Sequence, residues 1–359
     1  MVKILHVDTG KEWRGGQRQA LLLHKGLLEN GFESYLVANS KGELINKFDK
    51  NILPFDFKGE VNPLSILNLT KIINKIKPDI VHSHDAHSLT PLVIIKMLGK
   101  DFKLLHTRRV DFSVKKNLFS TLKYTNKYVN KIIAISEAIK NILINDGIDG
   151  NKIEIIYSGV EFKNPDNYEC PDDLKKILEG HYIVGCIANF ADHKDHKTLI
   201  KAFNKLFELR KDVKLLLIGD GPLFNEVVDF AKALPCFGNI VFAGFRKDVY
   251  SCLKCMDIFA MTSKEEGLCT SIIDALSFGL PVIATKAGGI PELILDNING
   301  LLCNVKSHED VFSKLMYIID NEDIFKKLKS NTHKTIEEFS NNKMVDKYIK
   351  LYYKLAGEV

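Results

Sequence analysis

The sequence predicts two doubly wound α/β domains in series, each a Rossmann-like parallel sheet covered by helices, with a lone helix closing the fold. Three observations predict this. Short apolar, β-branched runs alternate with longer stretches of helical periodicity, which is the order of a parallel sheet. The alternation stops at a patch of turn-forming residues near the middle and then restarts. Finally, 359 residues, 45% of them hydrophobic, exceed one ordinary domain and supply apolar surface for two cores.

The first domain is expected over residues 1–165, with strands at 4–7, 35–38, 80–82, 104–106 and 132–135. Between the first two, residues 17–29 set Leu21, Leu22, His24, Leu27 and Leu28 on the 3.6-residue spacing, and Gly31 stops the helix. Asn164-Pro165-Asp166-Asn167 and Cys170-Pro171-Asp172-Asp173 then break the pattern as a linker. The second domain, residues 166–340, restarts with strands at Tyr182–Ile187, Val213–Ile218, 240–242, Ile258–Met261 and 282–284, and a helix at 198–210. Residues 341–359 carry Val345, Tyr348, Ile349, Tyr352 and Tyr353 at helical spacing with no strand after them, and read as the closing helix.

Composition narrows the function. No apolar run is long enough to span a bilayer, and Met1 leads straight into a strand-like run instead of a signal peptide, so the expected location is cytoplasmic. Seven cysteines, an odd number without paired-motif spacing, suit a reducing compartment better than a disulfide framework. Cys252 and Cys255 form a CxxC, but no second pair follows at zinc spacing. The net charge of +5 is unevenly placed: residues 1–165 hold 25 Lys and Arg against 17 Asp and Glu, and the remainder 25 against 28. In the basic half, Lys115, Lys116, Lys123, Lys127 and Lys131 accompany Leu118, Phe119, Leu122 and Val129. That is the pattern of a solvated helix face in a lysine-rich protein, or of a basic amphipathic helix resting on an anionic membrane surface at the inner face of the plasma membrane. No DNA- or RNA-binding motif accompanies the charge, so nucleic acid is not an expected partner.

Doubly wound sheets bind ligands beyond the carboxyl ends of their strands. The most informative such loop is Ser263-Lys264-Glu265-Glu266-Gly267-Leu268-Cys269-Thr270. A strand ends at Ser263, Gly267 permits a tight turn, and a helix begins near Thr270 with unpaired N–H groups, a seat for a diphosphate. Asp274 in the first turns suits the vicinal hydroxyls of a ribose, and Glu266 a sugar further along. Two carboxylates beside a helix start are also an ordinary capping arrangement.

The stretch from Ser263 to Leu293, with Phe278-Gly279-Leu280-Pro281 and Gly288-Gly289-Ile290-Pro291-Glu292, resembles the signature region of the family 4 retaining glycosyltransferases. Gly15-Gly16-Gln17-Arg18-Gln19, Ala134-Ile135-Ser136-Glu137, Ile156-Tyr157-Ser158-Gly159-Val160, Ile218-Gly219-Asp220-Gly221-Pro222 and Ala243-Gly244-Phe245-Arg246-Lys247 match in order, so the resemblance spans nearly the full chain. It implies the GT-B fold, two Rossmann-like domains facing across a cleft, the first for the acceptor and the second for a nucleotide-sugar donor, with the last helix closing back towards the first domain.

The same resemblance implies roles. Glu266 contacts donor-sugar hydroxyls and Asp274 holds the ribose, where similar enzymes carry a second glutamate; the shorter side chain withdraws the carboxylate by roughly 1.5 Å. The family's phosphate-binding Arg and Lys fall on Asn189 and Lys194, so only the lysine's point charge is present, and Arg246 is a replacement cation. Gly15, Gly16, Gly219, Gly244, Phe245, Gly267, Leu268, Cys269 and Thr270 complete the donor site. His106, at a strand end, contacts the transferred sugar. Arg14, Arg18, His84, Asp85, Arg108 and Arg109 are the acceptor-side candidates, and Arg108, Arg109 and Asp111 suit an anionic or phosphorylated acceptor. His82, His84, Asp85 and His87 resemble a metal cluster, since His82 and His84 share one strand face, but no Asp-x-Asp accompanies them and no metal is expected.

The expected activity is retaining, metal-independent transfer from a UDP-, GDP- or ADP-linked sugar to a hydroxyl of a glycan or lipid-linked acceptor, of the cell-envelope or lipopolysaccharide kind. No cofactor beyond the donor is expected. A nucleotide-sugar epimerase would turn over donor without acceptor, and a nucleotide-sugar-binding scaffold would bind donor without transfer. A dehydrogenase fits worst, because no complete GxGxxG follows either domain's first strand.

Overall fold

The computed structural model describes residues 2–114 and 118–358, without the side chains of 118–120. Lys115 and Lys116 of the basic segment, and the Leu118 and Phe119 side chains, lie outside the described residues. Of the described part of that segment, Val129 is buried, Lys123 pairs with Glu60 at 2.8 Å and Lys131 with Glu154 at 3.7 Å, while Leu122 is 54% exposed.

Two compact units form, Met1–Gly159 with Glu338–Val359, and Val160–Glu337. The first unit carries β1 (Lys3–Asp8), β2 (Glu33–Asn39), β3 (Ile52–Phe55), β4 (Ile80–Ser83), β5 (Lys103–Arg108), β6 (Lys131–Ala134) and β7 (Ile153–Ile155). They pair in parallel in the order β3-β2-β1-β4-β5-β6-β7. The second carries β8 (Tyr182–Ile187), β9 (Val213–Ile218), β10 (Ile240–Gly244), β11 (Ile258–Met261), β12 (Val282–Thr285) and β13 (Gly300–Cys303), ordered β10-β9-β8-β11-β12-β13. In both sheets strand order reverses once, between β1 and β4 and between β8 and β11, which makes the loops after those strands the places where a ligand fits.

The edge strands β3, β7 and β13 escape sequence periodicity because each is only 3 or 4 residues long, too short for alternation to show.

The Asn341–Ala356 helix seals the first unit. Met344, Val345, Tyr348, Leu351 and Tyr352 share a buried cluster with Ile4, Leu23, Leu27, Ile80 and Leu105. The approach is close enough that a Cβ on Gly26 of the Gly15–Glu29 helix would collide with Val345. In the second unit Gly219, at φ +139°, brings the β9 loop onto the Ala188 carbonyl, where no side chain fits.

The reading of the cysteines is corrected: Cys170 and Cys255 are joined by a disulfide, while Cys186, Cys236, Cys252, Cys269 and Cys303 are free and buried. The partners are 85 residues apart, so local spacing gave no sign of them. Among the described residues no helix is long and apolar enough to cross a membrane.

Candidate functional site

In the second unit the loops after β8 and β11 are stitched together at the switch point. Thr262 Oγ1 donates to the Asp195 carbonyl at 3.0 Å, the Lys264 amide to the His193 carbonyl at 2.7 Å, and Lys264 Nζ to Asp192 at 2.8 Å. Between them Lys194 Nζ forms an ion pair with Glu266 Oε1, which also accepts from Ser263 Oγ at 2.8 Å. Both side chains are largely buried, 15% exposed for the lysine and 9% for the glutamate. Burial alone would lower the Lys194 pKa, but the Glu266 charge and hydrogen bond reverse that and raise it. The thiols alongside, Cys186 and Cys269, are pushed up to about 12, chiefly by burial, and stay neutral. An ammonium has three N–H donors and Glu266 takes one, which leaves two for an anion.

The Thr270–Ser277 helix begins beside this pair with no side-chain cap on its first amides, leaving them for a ligand. Asp274 is 9% exposed and accepts from the Tyr250 hydroxyl at 3.4 Å. Tyr250 stacks on Phe278 at 5.6 Å, and Tyr168, two residues before the disulfide's Cys170, packs against both. Asn189 Oδ1 is buried without a partner.

Arg246 is not a replacement cation beside Lys194: it pairs with Asp173 at 2.6 Å and Asp248 at 2.6 Å, so two carboxylates already answer its charge. Its neighbour Phe245 is 63% exposed, beside Gly244 at φ +64°.

In the first unit the loop after β1 leads into the Gly15–Glu29 helix, also without a side-chain cap. A Cβ on Gly15 would meet nothing within 4 Å, and one on Gly16 only Arg109 Cδ at 3.6 Å. Neither φ nor packing demands glycine here, so the glycines hold open the space before the helix. Arg14 pairs with Glu12 at the surface, and Arg18 sits in the helix's first turn.

Two acceptor-side candidates are engaged by the fold itself. Arg108 is 5% exposed and spends its guanidinium on the Tyr124 hydroxyl at 3.1 Å and the Phe112 carbonyl at 2.7 Å. Asp85 accepts from the Thr9 amide and hydroxyl and from the His87 and Ser88 amides, so it ties the β1 loop to the Ala86–Met97 helix.

The histidines of the metal pattern separate. His87 is exposed and pairs with Glu60, while His82 and His84 join His6, which sequence reasoning missed. The signal was available: parallel pairing puts His6 directly opposite His82. His6 Nδ1 and His84 Nε2 lie 2.9 Å apart, and His82 engages Tyr352 and Thr107 hydroxyls, each at 2.7 Å. Both ring nitrogens of His82 are thus hydrogen-bonded to hydroxyls, and one ring nitrogen from each of His6, His82 and His84 lies within 4.8 Å of the others. His106 is 1% exposed, with Nδ1 on Ser83 Oγ at 3.0 Å.

Burial holds the pKa of His6, His82, His84 and His106 well below 6.5. A depressed folded-state pKa means the unfolded chain binds more protons, so their stability is present above 6.5 and lost as pH falls towards the folded values. Asp8, raised to about 6 by burial and Asp85, works oppositely, its contribution lost as pH rises through about 6. His24, lowered by burial as well, acts in the same direction as these four, and the five histidines outnumber Asp8. Thermal unfolding of the first unit should therefore shift down between about pH 7 and about pH 5; a flat profile would show that the histidines are solvated.

Comparison with known proteins follows the same division. Residues 13–163 match the family described as Glycosyltransferase Family 4, and residues 173–335 the family described as Glycosyl transferases group 1. The chain is 26% identical over 357 residues to N-acetyl-alpha-D-glucosaminyl L-malate synthase of Bacillus anthracis, covering 92% of this chain and 91% of that one. It is 24% identical to UDP-Gal:alpha-D-GlcNAc-diphosphoundecaprenol alpha-1,3-galactosyltransferase of Escherichia coli, covering 98% and 96%. A solved glycosyltransferase from Rickettsia africae superposes with a TM-score of 0.85 at 26% identity, over 99% of this chain and 98% of that one. Anabaena HepE, solved in complex with UDP, gives 0.85 at 18% identity, over 98% and 100%. These likenesses bear out the expected GT-B fold class of two parallel-sheet α/β domains.

Proposed function

Because this chain belongs to the family 4, group 1 glycosyltransferases, we propose that it transfers a sugar from a UDP-linked donor to an acceptor hydroxyl, with retention and without metal. One observation carries the reading: the buried Lys194–Glu266 pair beside an uncapped helix N-terminus, at the point where strand order reverses. The leaving diphosphate takes the two free Lys194 N–H groups and the first amides of the Thr270–Ser277 helix, where positive charge meets the negative charge that develops as the glycosidic bond breaks. Glu266 faces the sugar hydroxyls, Asp274 the ribose, and exposed Phe245 the base. The acceptor oxygen bonds to the anomeric carbon on the face the phosphate leaves, and its proton passes to a phosphate oxygen, so no protein nucleophile is needed.

UDP stands first among donors because the E. coli relative is named for UDP-Gal and HepE was solved with UDP. A lipid-linked acceptor is supported by the diphosphoundecaprenol in that relative's name; with such an acceptor the enzyme works at the membrane surface, in envelope polysaccharide synthesis.

Metal-free calorimetry with UDP, GDP and ADP tests the donor reading. UDP should bind the wild type best, and Lys194→Ala should weaken it by about tenfold or more. Binding of none of the three, with or without magnesium, overturns the donor site.

A further inference from the structure

Asp274 stands within the Thr270–Ser277 helix and Phe278 at its C-cap, four residues apart, so both side chains lie on one face. Tyr250 lies along that face. Its ring stacks on Phe278, with centroids 5.6 Å apart and planes 10° apart, while its hydroxyl reaches Asp274 Oδ1 at 3.4 Å. Ring and hydroxyl thus meet the same helix at successive turns.

The ring is held from a second side as well. Tyr168 packs against Tyr250 at 5.5 Å and against Phe278 at 5.7 Å. The chain bearing Tyr168 is fastened by the Cys170–Cys255 disulfide and by the pair between Asp173 and Arg246. Arg246 also grips Asp248, the N-cap of the Val249–Leu253 helix that carries Tyr250. The arginine that does not serve as a cation beside Lys194 therefore fixes the connection after β10, and that connection delivers the tyrosine.

A carboxylate on a short side chain still turns about its own torsions, and it has about four lone-pair directions from which to accept. A hydroxyl anchored at Oδ1 fixes the plane of the group, and with it the direction in which the second oxygen accepts. Asp274 is 9% exposed, so the choice of that direction is made inside the protein and not by water.

We propose that Tyr250 is a positioning residue for nucleotide recognition: its hydroxyl turns the Asp274 carboxylate to accept from the ribose hydroxyls, where similar enzymes rely on a longer glutamate. The inference rests on the reading of Asp274 as the ribose contact. The same connection carries exposed Phe245, so Tyr250 joins the base side of the donor site to its ribose side.

The test is metal-free calorimetry on the full chain with UDP and with its 2′,3′-dideoxy analogue, which keeps base and diphosphate and lacks both ribose hydroxyls. The wild type should bind UDP about tenfold or more tighter than the analogue, because hydrogen bonds to a charged group are lost. Tyr250→Phe keeps the ring and its stacking, and should cut that ratio to about threefold or less with the analogue's own affinity unchanged. Asp274→Ala should bring the ratio to about one, and adding Tyr250→Phe to it should change nothing further, because the tyrosine acts through the aspartate. Asp274→Asn, which keeps the shape and removes the charge, serves if Asp274→Ala fails to fold. A packing role alone would weaken UDP and the analogue together; that result, or a ratio untouched by Tyr250→Phe, overturns the inference and leaves the ribose reading standing. A further loss on adding Tyr250→Phe to Asp274→Ala also overturns it, because the tyrosine would then touch the nucleotide itself. Equal binding of UDP and the analogue by the wild type, or binding of neither, overturns the ribose reading and the Tyr250 inference with it.

Discussion

Glu266→Ala should destabilise the second unit by about 3–5 kcal/mol, the cost of leaving one member of a buried pair without the other. Three features put this pair at the buried end of the range. Its side chains are 15% and 9% exposed. Ser263 adds a hydrogen bond to the same carboxylate oxygen. The adjacent thiols, Cys186 and Cys269, are held protonated, chiefly by burial, so Glu266 is the carboxylate that answers the lysine. Without Glu266, burial is the largest influence left on Lys194 and favours the neutral amine. The substitution therefore weakens the hold on the lysine's charge as well as removing the carboxylate, and transfer should fall with it. Glu266→Gln keeps an acceptor for Ser263 and should cost less stability while still losing activity. Denaturant unfolding of the two variants measures this; a loss below about 1 kcal/mol would place the pair among solvated surface bridges.

Lys194→Ala carries the second large effect, a fall in kcat of about 10²–10³, the range for removing one preorganised donor to developing charge. Asn189 cannot compensate because it has no charge, and Arg246 cannot because Asp173 and Asp248 hold it. The lysine and glutamate should also be strongly non-additive, so Lys194→Ala combined with Glu266→Ala should lose little more activity than either alone. Steady-state rates of donor consumption with acceptor decide this. A Lys194→Ala enzyme within a few-fold of wild type would mean that the diphosphate leaves without that ammonium.

The central strands were legible because their apolar runs are long and β-branched, and the site loops followed because ligand loops come after strands at a switch point. Glu266, Lys194 and Asp274 could thus be placed before any side chain was seen. What escaped was whatever depends on a partner far along the chain. Arg108 and Asp85 read as free polar groups, yet one is consumed by Tyr124 and Phe112 and the other by Thr9 and a helix start. Arg246 looked like a spare cation until Asp173 came to it from the linker. His6 is an ordinary strand residue until register sets it beside His82, and Tyr352 reaches His82 from 270 positions away. The reading of a residue as functional rests on what remains unspent after folding, which local pattern cannot report.

The return of the Asn341–Ala356 helix to the first unit has a consequence for how the protein is made. Domains usually fold in the order they are synthesised. Here Leu23, Leu27 and Phe32 emerge early, but the residues that cover them, Met344, Val345, Tyr348 and Tyr352, are translated only after the whole second unit. The second unit can close its own sheet while the first still exposes an apolar face, so the nascent chain carries a sticky surface through most of its synthesis. The half that is made first is the half that is finished last.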